Sequence, residues 1–277
     1  MKKKLTLITL ILSFLLFGFF GFYGCKDKEE LKIEKNETIA SGLDKTPKTR
    51  AGDGYGYTTP EDKYKFPDIS GMNDWSRPNI IQERIDALQM PEGVLATIST
   101  AGLLETCLEF PYLLDILHFN DFQQGFNCLV KNFNGFREIL KRPDLPPALI
   151  NKYYGMGIDI KELPALSLVE QGMFSFRHFV LEFMLAQDVV INNLNEAQEE
   201  ALFLLTMERK ELLNSYPEIF SAMHKAPTAL LYAKKMTNDN QVRADMKNAV
   251  SAFIQAPMLV NKDVINYLND YINVKFK

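Results

Sequence analysis

From about Asn79 onward the chain repeats one arrangement: an apolar stripe at helical spacing, a turn or cap residue, then a proline. Leu103, Leu104, Cys107 and Phe110 form one such stripe, and Phe122, Phe126, Leu129 and Phe133 another. That spacing lines one side of a helix with 3.6 residues per turn. Pro91, Pro111, Pro164, Pro217, Pro227 and Pro257 each stand where a new stripe should begin. Proline fits the first position of a helix, where its missing N–H would be unpaired anyway, and it cannot continue the helix before it. Period-two alternation is nearly absent. Asn134-Gly135 lies between two helical patterns and reads as a helix break, not a hairpin turn. The chain is therefore expected to be all-α, an irregular helical bundle or a short α-solenoid of stacked helical hairpins, over residues 79–277. About 200 residues suffice for one substantial core.

The expected helices are Ile80–Leu88, a turn and a half from Pro91 to Ile98, Ala101–Phe110 capped by Thr100, and a short helix from Pro111 to Phe119. Asp121 caps Phe122–Phe133, and Pro146–Tyr154 follows. A long helix is expected from Ala165 to Ile191. Asn195 with Gln198 makes a capping-box-like start for Glu196–Asn214. Shorter helices near Pro217–His224, Pro227–Met236, Val242–Ala256 and Asp263–Ile272 complete the chain.

The N-terminal quarter has a different character. Lys2-Lys3-Lys4 precedes an uncharged run of nineteen residues, Leu5–Tyr23, followed by Gly24 and Cys25. A basic n-region, an apolar h-region and a small residue before a cysteine describe an export signal more closely than a permanent span. The sequence resembles the lipoprotein signal-peptidase motif at Gly24 and Cys25, while Phe22 and Tyr23 stand where that motif has an aliphatic and a small residue. The resemblance implies removal of residues 1–24 and acylation of Cys25. Each buried CH₂ contributes ~0.8 kcal/mol, so two or three acyl chains would anchor the protein stably without spanning the membrane. Residues 25–78 are expected to be a lipidated flexible tether. Their mixed charges and turn formers, such as Gly52-Asp53-Gly54-Tyr55-Gly56-Tyr57, leave too few large apolar residues to offset the entropy of ordering. The acidic-rich tract Lys26-Asp27-Lys28-Glu29-Glu30 resembles tags carried by some outer-membrane lipoproteins of Bacteroidetes, which implies an outer-membrane address; the other reading of the tract is an ordinary solvated stretch of tether.

Composition narrows the chemistry. A net charge of −4 argues against nucleic acid as a partner. Cys107 and Cys128 could form a disulfide in an exported protein, whereas the helical stripe around Cys107 makes a small core residue its default role. His118, His178 and His224 fall in no metal-ligand spacing, and no Gly-x-Ser-x-Gly elbow or phosphate-cradling loop occurs. Neither a metal nor another cofactor is expected, and no catalytic residue stands out.

One polar constellation interrupts the long apolar helix. At 100° per residue, Gln171, Ser175, His178 and Glu182 fall on a strip roughly 60° wide. His178 and Glu182 are i,i+4 neighbours able to touch. If buried, the strip is a ligand site or an acid–base pair. If it faces water, it is the solvated side of the helix, which is the more usual outcome for an amphipathic pattern.

The stretch Leu103-Leu104-Glu105-Thr106-Cys107-Leu108-Glu109-Phe110-Pro111 resembles a group of uncharacterised exported helical proteins of Bacteroidetes. So does Asn132-Phe133-Asn134-Gly135-Phe136-Arg137-Glu138-Ile139-Leu140-Lys141-Arg142-Pro143-Asp144. The likeness covers about residues 103–144 and implies a shared helical module with no activity attached. Asn132–Arg137 is expected to be a helix-connecting turn. The expected function is that of a membrane-anchored, non-enzymatic binding or scaffold module that contacts membrane lipid through Cys25 and an unidentified protein or glycan partner. The alternatives are a small-ligand binder or enzyme using the 171–182 strip, and a structural envelope protein.

Overall fold

A computed structural model describes residues 60–74, 76–156, 163–220, 222–257 and 261–276. The expected signal, Cys25 and most of the expected tether lie outside them. The described chain is all-α. Its helices are α1 (Ile80–Ala87), α2 (Glu92–Thr97), α3 (Thr100–Leu108), α4 (Phe122–Asn132), α5 (Asn134–Ile139) and α6 (Leu145–Gly155). They continue as α7 (Leu168–Leu185), α8 (Asp188–Ile191), α9 (Glu196–Asn214), α10 (Ala226–Asn238), α11 (Lys247–Gln255) and α12 (Lys262–Lys275). Short 3-10 segments cover Leu113–His118, Leu163–Ala165 and Ala222–Lys225.

A solenoid would join each hairpin only to its neighbours. Here α7 packs on α3, α6, α8 and α10, and α10 packs in turn on α11 and α12. One continuous core runs from Leu88 to Ile272. The architecture is an irregular bundle wrapped around α7.

Local chemistry sets the boundaries. Asp121 Oδ1 accepts from Gln123 N at 2.9 Å, the expected cap of α4. Asn195 and Gln198 exchange reciprocal bonds at 2.9 and 3.0 Å ahead of α9. The cap of α3 is Ser99, one residue before the expected Thr100, with Oγ accepting from Gly102 N. The long helix is shorter than expected at both ends. Ser167 and Glu170 close a capping box at its start, and it ends at Leu185, with Ala186 and Gln187 between it and the single turn of α8. The segments after Pro111 and around Pro217–His224 form 3-10 turns and bends instead of α-helices.

Asn134-Gly135 is the helix-connecting turn that the sequence implies. Phe133 is extended between α4 and α5, and a Cβ on Gly135 would lie 2.4 Å from the Phe133 ring. Asn134 turns inward: Met90 N donates to its Oδ1 at 3.0 Å, and its Nδ2 donates to Met90 O at 2.8 Å. Arg142 acts as a cap, donating to Leu95 O and Ile98 O at the end of α2. Phe110 stacks on Phe133 at 4.5 Å, and Phe126 meets Phe136 and Phe183 edge-on at 5.7 Å.

Two expectations are corrected. The tether does not extend to residue 78, because residues 60–69 are docked on the body. Asp62 accepts from Ser99 N at 2.6 Å, Tyr64 N donates to Thr106 Oγ1 at 3.1 Å, and Lys63 pairs with Glu109 at 2.9 Å. Phe66 packs 5.5 Å from Phe133. Three apolar anchors, Tyr64, Phe66 and Ile69, offset the ordering cost that composition alone made prohibitive. The bridge between Cys107 and Cys128 is not formed: Cys107 is a free thiol, fully enclosed on the inner face of α3, and burial pushes its pKa well above the usual thiol value.

Candidate functional site

The 171–182 strip is not the wet face of α7. Ser175, His178 and Glu182 are 5%, 0% and 2% exposed. Burial follows from the company α7 keeps, since α6, α9, α10 and the turn at Ala222–Lys225 each contribute polar groups around the same region. The strip does not act as one unit. Gln171 stays near solvent and donates to Leu166 O at 2.9 Å, and Ser175 spends its hydroxyl on Gly172 O of its own helix.

Glu182 is the centre of what remains. Tyr153 Oη of α6 donates to its Oε1 at 2.6 Å, and Thr228 Oγ1 of α10 donates to its Oε2 at 2.8 Å. Burial raises the Glu182 carboxyl to about 7, against hydrogen bonds from Tyr153 and Thr228 and the charge of Arg209, which favour the anion. His178 Nδ1 lies 3.9 Å from Glu182 Oε1, too far for a hydrogen bond, and neither of its ring nitrogens has a partner among the described residues. Burial lowers His178 to about 3, helped by the charges of Arg209 and His224, so the imidazole is neutral. Rings enclose it, with Tyr153 at 5.3 Å and Phe220 at 5.9 Å.

Arg209 of α9 is 2% exposed and donates through Nη2 to Tyr154 O at 2.8 Å, at the C-terminal end of α6. A cation suits that end of a helix, where unpaired carbonyls gather. Tyr232 Oη donates to Thr206 Oγ1 at 2.9 Å, and burial raises its pKa. Sequence reasoning missed Tyr153, Arg209 and Thr228. A signal for Arg209 was present: it continues the stripe Leu202, Leu205, Thr206, Arg209, Leu213 of α9, so a charged residue holds a core position. Chemically, the cluster is a neutral imidazole beside a carboxyl that titrates near neutrality, sealed from solvent. No group of three His, Cys, Asp or Glu side chains among the described residues is set to hold a metal ion.

The other end of α7 and α10 opens into a cleft of about 640 Å³. Phe126, Val130 and Phe183 form its floor, and α4, the α7–α8 junction, α10 and α11 form its walls. Gln187, at the break between α7 and α8, donates to Phe183 O at 3.1 Å and accepts from Gln123 Nε2 at 3.1 Å. Lys234 pairs with Asp188 at 2.8 Å across the rim. None of these residues forms a motif in sequence, because four helices contribute them. No helix among the described residues is long and apolar enough to cross a membrane. No protein-family model, curated protein or solved structure matches the chain.

Proposed function

We propose that this protein is a lipid-anchored binding module of a bacterial envelope: acyl chains on Cys25, a tether, and a helical body that receives its partner in the cleft beside α4 and α10. The cleft carries the reading. Its volume lies within the ~300–1,000 Å³ typical of ligand sites, over an apolar floor with convergent polar groups. The resemblance of Gly24-Cys25 to the lipoprotein signal motif supports the anchor, and the resemblance of Lys26-Asp27-Lys28-Glu29-Glu30 to outer-membrane lipoprotein tags supports an outer-membrane address.

The anchor and the module are tested separately. Labelled palmitate should enter the full chain in cells and be absent from Cys25→Ser; label retained by that variant removes the anchor. A photo-crosslinking amino acid at position 127 should give a discrete adduct in intact cells, and one at exposed position 92 should not. Equal adducts at both positions, or none at 127, remove the cleft as the partner site.

A second reading places a small-ligand or acid–base site at His178 and Glu182, supported by their burial beside Tyr153 and Arg209. It requires the ring cage around His178 to open. His178→Ala with Glu182→Ala would then abolish ligand-dependent stabilisation in a chain that still unfolds cooperatively. A chain that simply unfolds assigns the pair to packing.

A further inference from the structure

The polar groups on the cleft wall are mostly amides, and their unused hydrogen-bonding capacity selects a ligand class. Its charged side chains are Asp121, Asp188 and Lys234. Lys234 spends its charge on Asp188, so among the described residues no unpaired cation lines the cleft. An anionic ligand would shed hydration there with nothing to replace it. A strongly cationic ligand would find one carboxylate, Asp121, outside the existing ion pair. The wall therefore favours a neutral ligand.

A side-chain amide donates at one end and accepts at the other. Part of that capacity is used internally. Gln123 Nε2 donates to Asn127 Oδ1 at 3.0 Å and to Gln187 Oε1 at 3.1 Å, and Asn238 Nδ2 donates to Asn192 Oδ1 at 2.9 Å. What remains without a partner among the described residues is Gln123 Oε1, Asn127 Nδ2, Asn238 Oδ1, Asp121 Oδ2 and the whole amide of Gln255. Donors and acceptors thus sit side by side, while the internal bonds hold Gln123 and Asn127 in fixed orientations.

A hydroxyl is the ligand group that donates and accepts at one atom, and a pair of adjacent hydroxyls spans a planar amide or carboxylate. An extended peptide is instead read by a strand edge or by pockets for alternate side chains. The described residues contain no strand. The floor aromatics Phe126 and Phe183 are 1% and 0% exposed, which leaves Val189 and Ile254 as partly exposed aliphatic contacts. Such contacts suit the C–H face of a sugar ring.

We infer that this cleft binds an uncharged oligosaccharide, with hydroxyl pairs held by Gln123, Asn127, Asn238 and Gln255 over the aliphatic patch of Val189 and Ile254. The inference rests on the binding-module reading and names its ligand class.

The test uses the full chain in a detergent without a sugar headgroup. It is applied to a glycan array of neutral hexose and N-acetylhexosamine chains beside sialylated and sulfated ones, and the ligands found are titrated by calorimetry. Neutral chains should bind and acidic chains should not. Asn127→Ala and Gln255→Ala should each weaken binding about tenfold, the effect of one or two lost hydrogen bonds. Glu92→Gln, remote on α2, should leave affinity unchanged. Acidic chains that bind as tightly as neutral ones, or neutral binding untouched by both alanine variants, overturn the inference. A displayed library of uncharged peptides separates it from its parent. Peptide binding that Asn127→Ala abolishes, with no glycan bound, refutes the sugar and keeps the module. Neither ligand bound through the cleft refutes both.

Discussion

The two polar regions of this molecule are built on the same pair of helices, α7 and α10, and differ in what covers them. At one end, Glu182 and Thr228 meet under α6 and α9, sealed among Tyr153, Phe220 and Arg209. At the other, Asn238 of α10 lines an open cleft with Asn127 and Gln255 beside the end of α7. A hydrogen bond means different things in the two places. In the sealed region an unmade bond leaves a group desolvated without compensation, whereas in the cleft water or a ligand completes it. Polar residues in the first are costly unless paired, and those in the second are available for binding.

The largest expected effect tests the sealed end. Glu182→Ala removes the acceptor of both Tyr153 and Thr228 and opens a cavity, so it should destabilise the chain by ~3 kcal/mol in urea unfolding. A change below ~1 kcal/mol would mean that the network is not sealed.

Next in size is the pH dependence of stability. His178 titrates at about 3 when folded and near 6.5 when unfolded. Between those values the unfolded chain holds the extra proton, so stability rises with pH. Glu182 has the opposite sign. It titrates at about 7 when folded against an ordinary 4.5, so between those values the folded chain holds the extra proton and stability falls as pH rises. The two cancel from about pH 4.5 to 6.5. That leaves an acid limb of ~1.4 kcal/mol per pH unit below 4.5 and a shallow decline toward 7. Asp239 steepens the acid limb. Burial would raise its carboxyl, but hydrogen bonds from Lys235, Lys275 and Tyr271 lower it overall. In the urea midpoint measured from pH 3 to 8, His178→Leu should flatten the acid limb and Glu182→Gln the neutral one. Limbs that survive both changes would assign the titration elsewhere.

At a fixed pH near 6, His178→Leu should raise stability by ~1 kcal/mol, since it deletes two buried nitrogens that lack partners among the described residues. A loss of stability would show that the imidazole is satisfied. The smallest effect belongs to the open end. Asn127→Ala and Gln255→Ala should shift stability by no more than ~0.5 kcal/mol, because their unused groups already face solvent. A cost above ~1 kcal/mol at either position would make the cleft wall a structural element.

Much of the fold was legible. The caps at Asp121 and Asn195, the break at Asn134-Gly135 and the stripes of α3 and α4 follow from local periodicity and from side chains that bond nearby backbone. Where local signals were overlooked, they were present: Ser99 and Ser167 both begin recognisable caps. The site was less legible. The strip on α7 could be seen as polar, but its burial depends on α6, α9 and α10, whose approach no local pattern encodes. Tyr153 and Glu182 are 29 residues apart, and Thr228 lies 46 beyond Glu182. The docking of residues 60–69 was hidden for the same reason: three anchors diluted among polar residues have meaning only once Phe133 and Thr106 are in place.

By itself, the sequence determined the helical class, the positions of most breaks and the stripes that form one core, because these rest on spacing and on bonds within a few residues. Tertiary structure decided which face of α7 is inside, that Cys107 is a free enclosed thiol, and that amides from three helices and the α7–α8 junction share one cleft. Those outcomes depend on burial, and burial is a property of which elements meet.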